Sequence, residues 1–473
     1  MADPRGFLEV HRVAAPERSP QDRVRDYAEI YGTLPEDELR HQASRCMDCG
    51  VPFCNNACPL GNLIPDWNDL ARVGDWKKAI SQLHATNNFP EFTGLICPAP
   101  CESACVLDID DDPVMIKQIE YWTINKAFDE GWVIPEPPET RTGRHVAVIG
   151  SGPAGMAAAA ELNKVGHRVT VYERDEAPGG LLRFGVPDAK LEKWMIDRRI
   201  EVLEQEGIEF VCDVEVGTDL SVERLRGEHD AVVLATGSRI ERDLEVPGRD
   251  LDGVHFAMEY LYCRNRWVAD SQGRPARKAE REISAAGKRV VVIGGGDTGM
   301  DCVSNSLREG AEDVLLLDVY PEVPEGGRYP NTPWPIQPRR LVTTYALEEG
   351  GERRFGRQVL GMEGENGHVR RVIAREVLGE SSRTLVPVEG SEFAIEADLV
   401  LIAVGFTQPE HAGLLDDLGV AYDRRGTVKA KTYATSVDRV YAAGDVRVGA
   451  SLIVTAIAEG RRCARVVEAA LRD

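Results

Sequence analysis

The sequence predicts an α/β protein in which two Rossmann-like dinucleotide-binding domains follow an all-helical N-terminal domain. From residue 145 onward, short apolar runs such as HVAVIG, DAVVLATG and RVVVIGGG have the composition of buried parallel strands. A strand followed by G-x-G-x-x-G occurs at 145–155 and again at 289–299, which is an internal repeat of one nucleotide-binding unit. Before residue 130 the periodicity is helical, and seven of the 11 cysteines lie between residues 46 and 105.

Composition excludes several classes of partner. The chain has 473 residues, which is too long for one hydrophobic core, and its net charge of −22 argues against binding to nucleic acid. No apolar run approaches the ~18 residues that a membrane span needs, and the N-terminal stretch lacks the apolar segment of a secretory signal. We therefore expect no nucleic-acid or membrane partner and a cytoplasmic location, where thiols stay reduced.

The first glycine loop, in AVIGSGPAGMAAAAELNKVGHRVTVYER, has the complete context of a nucleotide site. Gly150 permits the tight turn, Gly152 lets backbone amides approach a pyrophosphate, and Gly155 lets the helix pack close to the sheet. Pro153 and Ala154 open that helix, whose N-terminus faces the phosphates. The next strand ends at Glu173, where a carboxylate accepts the ribose hydroxyls.

Later segments indicate that the first dinucleotide is FAD. Backbone at APGGLLRF can approach a flat ring, Asp445 follows a strand, and a helix starts at Ser451. These segments are far from the first loop, as expected when a long FAD is bound by a domain that contains an insertion. The ATG at 235–237 and the AVG at 403–405 mark the two crossings between the domains. The further FAD candidates are Gly180, Leu181, Val214, Gly237, Gly444, Leu452 and Ile453, and Gly405 at the second crossing is a further cofactor-binding candidate.

The second glycine loop predicts a site for NAD(P)H. Its loop glycines are Gly294, Gly296 and Gly299, Gly295 is a further candidate, and Asp297 and Thr298 open the helix. Asp318 ends the following strand, where a carboxylate repels a 2′-phosphate and favours NADH. Arg328, further along, is an alternative partner for a 2′-phosphate, so the choice of nucleotide stays open.

These sites define three domains. We predict a helical domain over 1–135, an FAD-binding domain over 136–255 and 395–473, and an NAD(P)H-binding domain inserted over 256–394. One flavin and one nicotinamide site imply hydride transfer, which needs no catalytic acid or base from the chain. No closely spaced cysteine pair lies near either glycine loop, so a redox disulfide is not expected.

The cysteine-rich segment favours iron–sulfur chemistry over zinc or plain thiols. The pattern C-x2-C-x4-C-x3-C-P is followed by C-P-A-P-C-x3-C, and cysteine before proline is typical of ferredoxin-type clusters. Zinc ribbons need two C-x2-C pairs, and only one is present. Seven thiolates are one short of two four-iron clusters, so Glu120 is our candidate for the eighth ligand and Gln118 the second. The predicted thiolate ligands are Cys46, Cys49, Cys54, Cys58, Cys97, Cys101 and Cys105.

Four stretches together resemble the small (β) subunit of bacterial glutamate synthase, a family related to the electron-input part of dihydropyrimidine dehydrogenase. The stretches are SRCMDCGVPFCNNACPLGNLIPDWND, LHATNNFPEFTGLICPAPCESACVL, GGLLRFGVPDAKLEKWMIDRRI and AAGDVRVGASLIVTAIAEGR. The resemblance covers the chain from about residue 30 to the C-terminus. It implies FAD, NAD(P)H, two 4Fe–4S clusters and a large (α) partner subunit that makes L-glutamate from L-glutamine and 2-oxoglutarate.

The resemblance also implies roles for particular residues. Lys190 falls where relatives place a basic residue near FAD. One implied cluster has Cys46, Cys49, Cys105 and Glu120 as ligands, and the other has Cys54, Cys58, Cys97 and Cys101.

Two departures from the family pattern stand out. The stretch at 450–455 reads ASLIVT where relatives have QSLVVW, and LLLDVYPE lacks the paired arginines of NADPH-dependent members. The second departure agrees with the preference for NADH argued from Asp318. The predicted function is therefore that of an electron-input subunit, with an NAD(P)H:acceptor oxidoreductase serving ferredoxin or another partner as the alternative.

Overall fold

The computed structural model of the protein describes residues 3–278, 282–322, 332–336, 344–379 and 384–472. The N-terminal domain consists of short helices and one 3₁₀ turn, Val106–Ile109. Its helices are α1 Gly6–Glu9, α2 Pro20–Arg23, α3 Glu36–Ala43, α4 Phe53–Ala57, α5 Ile64–Arg72, α6 Trp76–Thr86, α7 Pro90–Ile96, α8 Pro100–Ser103 and α9 Ile116–Asp129. Its core is built around the fully buried side chains of Trp67, Leu83 and Ile119.

Two cysteine–proline pairs end helices of this domain. Helix α4 stops before Cys58 and helix α7 stops before Cys97, and each cysteine has an extended backbone conformation. A residue that precedes proline is disfavoured in the α region, so Pro59 and Pro98 force these two ends. The cysteine side chains therefore leave the helix surface at fixed points in the domain.

The first unit of the α/β part begins after the linker. Its first part contains β1 His145–Ile149, α10 Pro153–Lys164, β2 Arg168–Tyr172, α11 Leu181–Phe184, α12 Lys193–Gln205, β3 Ile208–Val211, α13 Val222–Glu228, β4 Ala231–Leu234 and β5 Ile240–Glu241. The chain then enters the second unit and returns to the first near its end.

The second unit carries the second glycine loop. Its elements are β6 Val254–Phe256, α14 Ala257–Ser271, β7 Arg289–Ile293, α15 Asp297–Arg308, β8 Asp313–Leu317, α16 Tyr345–Glu349, β9 Glu352–Arg354, β10 Arg357–Glu365, β11 His368–Leu378, β12 Val386–Pro387, β13 Phe393–Glu396 and β14 Leu399–Ile402. The C-terminal return consists of β15 Phe406–Gln408, α17 Leu414–Leu418, β16 Val440–Ala442, α18 Asp445–Val448 and α19 Ile453–Arg472.

Each unit is built on a parallel five-stranded sheet, as the apolar strand pattern predicts. The strand order is β16-β4-β1-β2-β3 in the first unit and β6-β14-β7-β8-β9 in the second. Strands β10 to β13 form an antiparallel sheet beside the second unit, and β5 pairs with β15 at the crossing between the units. The strands β6 and β14 belong to the second sheet, so this unit extends beyond both predicted boundaries, 256 and 394, at its two ends.

The helical domain packs directly on the first unit. Phe89, Phe92 and Tyr121 share one hydrophobic core with the helices and strands of that unit. Arg199 of α12 donates two hydrogen bonds to Glu91 of α7, at 2.5 and 3.0 Å, and both side chains are buried. Because burying either charge alone would be costly, this ion pair fixes α7 against the first unit.

The segment before α3 connects the helical domain to the second unit. The buried guanidinium of Arg23 donates to Glu348 at 2.6 Å, to Glu349 at 2.9 Å and to the carbonyl oxygen of Tyr345 at 2.8 Å. Arg308 of α15 also pairs with Glu349. The N-terminal segment is therefore anchored on α16. Among the described residues, no helix is both long and apolar enough to cross a membrane.

We expect Arg199→Ala to lower the thermal stability of the protein strongly. The substitution leaves the Glu91 carboxylate, with 0% of its side chain exposed, without its ion-pair partner. Breaking a buried pair in this way costs about 3–5 kcal/mol, which corresponds to a loss of at least ~6 °C in melting temperature for a domain of this size. Circular dichroism during heating measures the shift.

Arg224→Ala is the matched control, because it removes an exposed ion pair with Glu228 at 2.8 Å. Exposed pairs contribute little to stability, so its melting temperature should equal that of the unmodified protein. Equal shifts for the two variants would contradict the structural role assigned to Arg199.

Candidate functional site

The first glycine loop connects β1 to α10 as the sequence predicts. Gly150 has a φ of +101°, a left-handed conformation that favours glycine, and its amide donates to the Tyr172 carbonyl oxygen at 2.8 Å. A Cβ at Gly155 would overlap the carbonyl oxygen of Gly150, so this glycine allows α10 to approach the loop. Gly152 is the residue before α10, with open space around it.

A cavity of about 320 Å³ extends from this loop along the first unit. Most of the predicted FAD candidates lie together on its wall. They are Gly150, Gly152, Pro153, Ala154, Glu173, Gly180, Leu181, Val214, Gly237, Asp445, Ser451 and Ile453. The predicted residues outside the wall are Gly155, Lys190, Gly405, Gly444 and Leu452. Residues about 300 positions apart in sequence thus line one elongated cavity whose shape and glycine lining suit a dinucleotide.

The carboxylate of Glu173 is fixed at one end of the cavity. Its Oε2 accepts hydrogen bonds from the amide of Ser151 at 3.0 Å and the hydroxyl of Ser151 at 2.5 Å. Its Oε1 accepts from the amide of Asp175 at 3.0 Å. A buried acceptor fixed by neutral donors next to the glycine loop has the placement that ribose hydroxyls require.

Asp445 lies on another part of the same wall. It begins α18, and its Oδ1 accepts a hydrogen bond from the Ser451 hydroxyl at 2.6 Å. Burial raises the pKa of Asp445 to about 6. Gly444, the residue before α18, has a φ of +74°.

Lys190 contacts the second unit. Its Nζ forms an ion pair with Oδ1 of Asp301 at 2.9 Å and lies over the ring of Tyr345, and it is not part of the cavity wall. Asp301 and Tyr345 belong to the second unit, so Lys190 holds the two units together. Gly405 is likewise at the crossing between the units, where its carbonyl oxygen accepts from the amide of Arg242 at 2.8 Å.

The second glycine loop has the same geometry as the first. Gly294 has a φ of +117°, Gly296 is the residue before α15, and Asp297 and Thr298 form the first positions of that helix. Gly295 lies against the carboxylate of Asp318.

Asp318 is paired, which the sequence did not indicate. Its Oδ2 forms an ion pair with Nη2 of Arg353, on the neighbouring strand β9, at 2.5 Å. Arg328, the other residue weighed for nucleotide choice, lies outside the described residues.

Cys46, Cys49, Cys54 and Cys105 form an outer group. These four half-buried side chains line one small cavity, together with Phe53 and other apolar residues. Burial raises the pKa of the Cys46 and Cys54 thiols to about 12, and it also raises the pKa of Cys49 and Cys105.

Cys58, Cys97, Cys101 and Glu120 form an inner group. The three cysteines are buried, burial raises the pKa of each thiol, and the nearby Glu120 carboxylate raises it further. The predicted division of ligands was therefore wrong in two places: Cys54 belongs with Cys46, Cys49 and Cys105, and Glu120 belongs with the buried cysteines. The physical reason is the break of α4 at Cys58, which directs Cys54 and Cys58 into different groups.

The Glu120 side chain is oriented by two hydrogen bonds. Asn87 Nδ2 donates to Oε1 at 2.8 Å and Thr93 Oγ1 donates to the same oxygen at 2.5 Å. Burial raises the pKa of Glu120 to about 7. Gln118, our second candidate, is two positions away on α9 and therefore faces a different side of that helix.

The donor set fits iron–sulfur clusters. Thiols with raised pKa values stay protonated near neutral pH unless a bound cation replaces the proton. Within the described ranges, no three Cys, His, Asp or Glu side chains are arranged to hold a single metal ion. All 11 cysteines are free, so these groups are not joined by disulfides. Two groups of four candidate ligands in separate places match the number of ligands that two four-iron clusters need.

Sequence reasoning missed several residues of these sites. Ile96 lines the cavity of the first unit although it belongs to the helical domain. Arg353 pairs with Asp318 and Asp301 pairs with Lys190, and in both pairs the two residues are far apart in sequence. No sequence signal identified Arg353. Ile96 could have been identified, because it directly precedes the predicted ligand Cys97.

Two family profiles match the chain. Residues 144–460 match the family described as pyridine nucleotide-disulphide oxidoreductase. Residues 23–132 match the family described as dihydropyrimidine dehydrogenase domain II, 4Fe-4S cluster. These matches confirm the predicted fold class and the predicted cofactors FAD, NAD(P)H and 4Fe–4S.

Curated relatives cover almost the whole chain. The "Glutamate synthase [NADPH] small chain" of Mycobacterium tuberculosis is 53% identical over 99% of this chain and 96% of its own length. The "Glutamate synthase [NADH]" of Schizosaccharomyces pombe is 46% identical over 98% of this chain, which corresponds to 22% of that longer protein. The names of these relatives divide between the two nucleotides.

A solved structure supports the fold. FprA of Mycobacterium tuberculosis in complex with NADPH has a TM-score of 0.54 to this chain at 20% identity, and the match covers 70% of this chain and 85% of that one. At 20% sequence identity this similarity supports only the fold of the two α/β units.

Replacing one glycine in each loop should impair the two nucleotide sites independently of each other. Gly155→Ala places a Cβ against Gly150, so we expect the purified protein to contain at least about tenfold less flavin. Gly299→Ala places a Cβ against Gly294, so the protein should keep its flavin and lose nucleotide affinity. Visible absorbance and calorimetry measure the two properties.

Gly227→Ala, in α13, is the control because nothing lies within 4 Å of its added Cβ. Full flavin content in Gly155→Ala would show that the first loop does not form the FAD site.

Replacing Glu120 should remove one cluster only. We expect Glu120→Ala to reduce the iron content from about eight to about four atoms per chain, because the inner group loses its fourth ligand. Glu120→Gln keeps an oxygen donor and tests whether the domain folds with the charge removed. Gln118→Ala should keep all the iron, and unchanged iron in Glu120→Ala would refute the assignment.

Proposed function

The chain belongs to the glutamate synthase small-chain family of NAD(P)H-dependent flavin oxidoreductases, and we propose that it is the electron-input subunit of a glutamate synthase. In this function it oxidises NAD(P)H and passes the electrons to a large subunit. The large subunit makes L-glutamate from L-glutamine and 2-oxoglutarate. Two observations support the proposal: the names of the relatives, and the wall that the cavity shares with the inner cysteine group.

One observation carries the proposal: the FAD cavity and the inner group share a wall. Ile96, the last residue of α7, lines the cavity, and the next residue is Cys97 of the inner group. Ile453 also lines the cavity, and the following Val454 packs in the core of the helical domain. Two adjacent residues therefore span the distance between the two sites.

When bound, FAD accepts a hydride from NAD(P)H, and 4Fe–4S clusters transfer single electrons. The contribution of the chain is to hold these groups in order and to keep water away from them. The inner group, Cys58, Cys97, Cys101 and Glu120, is buried beside the cavity. The outer group is half-buried and therefore nearer to a partner. This order suits an electron path from the flavin to the surface.

The second unit is held in place by contacts with both other parts of the chain. Lys190 of the first unit pairs with Asp301 of α15, the helix that begins at the second glycine loop. Trp334 packs on Phe53 of the helical domain with tilted rings, 4.6 Å between their centroids, and its Nε1 donates to the Cys105 carbonyl oxygen at 3.1 Å. These contacts support a closed arrangement in which the nucleotide-binding unit lies against the other two.

Co-purification and assay with the large subunit test the function. We expect the complex to form L-glutamate from L-glutamine and 2-oxoglutarate only when the small chain and a reduced nicotinamide nucleotide are both present. Glutamate is measured by chromatography, and nucleotide oxidation is followed by absorbance. The large subunit without this chain is the control.

Two outcomes would contradict the proposal. One is glutamate formation at the same rate without the small chain. The other is rapid reduction of ferredoxin by the small chain together with no complex with the large subunit, which would establish the alternative oxidoreductase.

A further inference from the structure

We infer that the ion pair between Asp318 and Arg353 makes NADH the preferred hydride donor of this chain. The inference rests on the proposed function and deepens it by naming the nucleotide. Asp318 is the residue that touches the ribose, and Arg353 is a positioning residue that acts through Asp318.

Asp318 lies beside the position that the adenosine ribose of a bound nucleotide would occupy. It directly follows β8, whose last carbonyl oxygen, on Leu317, accepts a hydrogen bond from the amide of Gly294 at 2.9 Å. A Cβ at Gly295 would overlap the Asp318 carboxylate, so the carboxylate lies directly over the glycine loop. A strand-end carboxylate beside such a loop accepts the 2′-hydroxyl of NADH.

The carboxylate is fixed from two sides. Oδ1 accepts a hydrogen bond from the amide of Tyr320 at 3.0 Å, and Oδ2 pairs with Nη2 of Arg353 at 2.5 Å. The Asp318 residue is only 6% exposed. The Arg353 guanidinium is in turn held over the ring of Phe355, 4.3 Å from its centroid, and Nη2 also lies 3.4 Å from the carbonyl oxygen of Gly295. Asp318 therefore cannot turn away without leaving Arg353 half-buried and unpaired.

The charge balance at this strand end disfavours NADPH. A 2′-phosphate carries between about −1.5 and −2 charges at neutral pH, and it would enter next to an ionised carboxylate. The positive charge of Arg353 is already matched by Asp318. Arg354, the other arginine of β9, is paired with Glu352 at 2.7 and 2.9 Å. In the described part of this strand end, both arginines therefore have carboxylate partners.

The same arrangement predicts what happens when Asp318 is replaced. With Asp318→Asn the guanidinium of Arg353 loses its partner while keeping its place beside Gly295. It then becomes a cation available to a 2′-phosphate, so preference should move toward NADPH. Removing Arg353 as well should abolish that gain. Arg353→Ala alone should weaken NADH binding, since Asp318 loses the contact that orients it, without improving NADPH binding.

Isothermal calorimetry on the holoprotein tests the inference without any electron transfer. The probes are ADP-ribose and 2′-phospho-ADP-ribose, which carry the adenosine end of the two nucleotides. We expect the unmodified protein to bind ADP-ribose at least about tenfold more tightly. Asp318→Asn should reverse the ratio, and Asp318→Asn/Arg353→Ala should bind both probes weakly. Arg354→Ala is the matched control on the same strand and should retain the original ratio.

Tighter binding of 2′-phospho-ADP-ribose by the unmodified protein would overturn the inference, and so would an unchanged ratio in Asp318→Asn. Arg328→Ala decides whether that residue binds a 2′-phosphate: a ratio that moves further toward ADP-ribose in this variant, together with an unchanged ratio in Asp318→Asn, would also overturn the inference. These binding results do not depend on the large subunit. A failure of glutamate synthesis with the expected binding ratios would therefore concern the proposed function and leave the nucleotide preference standing.

Discussion

The arrangement of the cofactor sites depends on the ion pair between Glu91 and Arg199. It holds α7 against the first unit, and α7 ends with one residue on the FAD cavity wall and continues into a residue of the inner cysteine group. If α7 moved by one helical turn, about 5.4 Å, the two sites would no longer share this wall. Single-electron transfer through a protein requires close and constant spacing, and a buried charged pair between two helices provides that constancy.

Two other ion-pair contacts fix the position of the second, nucleotide-binding unit relative to the rest of the chain. Arg23 anchors the N-terminal segment on α16, and Lys190 joins the first unit to α15. Both contacts are ion pairs in which the arginine or lysine is largely buried. Such pairs add little net stability compared with apolar packing, but they are costly to break and specify one arrangement. The chain thus adds buried charged pairs to the apolar packing between its domains.

Much of this organisation could be predicted from the sequence, because the conformation of some residues is determined by their immediate neighbours in the chain. Gly150, Gly155 and Gly294 need backbone freedom or space that only glycine gives, so their spacing identified both loops. Proline after Cys58 and Cys97 indicated ligands of ferredoxin-type clusters. The number of cysteines indicated two clusters of four ligands, and their separation into two groups of donors in the structure fits that expectation.

The remaining features depended on contacts between distant residues. Spacing alone did not show that Cys54 and Cys58 face different groups, since that depends on how α4 ends and how α8 and α9 pack. Arg353 lies 35 residues after Asp318 and reaches it only because β9 pairs with β8. The predicted preference for NADH considered Asp318 as an isolated carboxylate, whereas its partner Arg353 is what fixes it.

The central claim is that the chain holds a flavin and two four-iron clusters in electronic contact. Its most direct test is anaerobic: iron and acid-labile sulfide are quantified in the purified chain, and NADH is then added while flavin absorbance and low-temperature paramagnetic resonance are followed. The account predicts about eight iron atoms per chain and the appearance of reduced-cluster signals together with flavin bleaching. Flavin bleaching with a full iron content and no reduced cluster would contradict it.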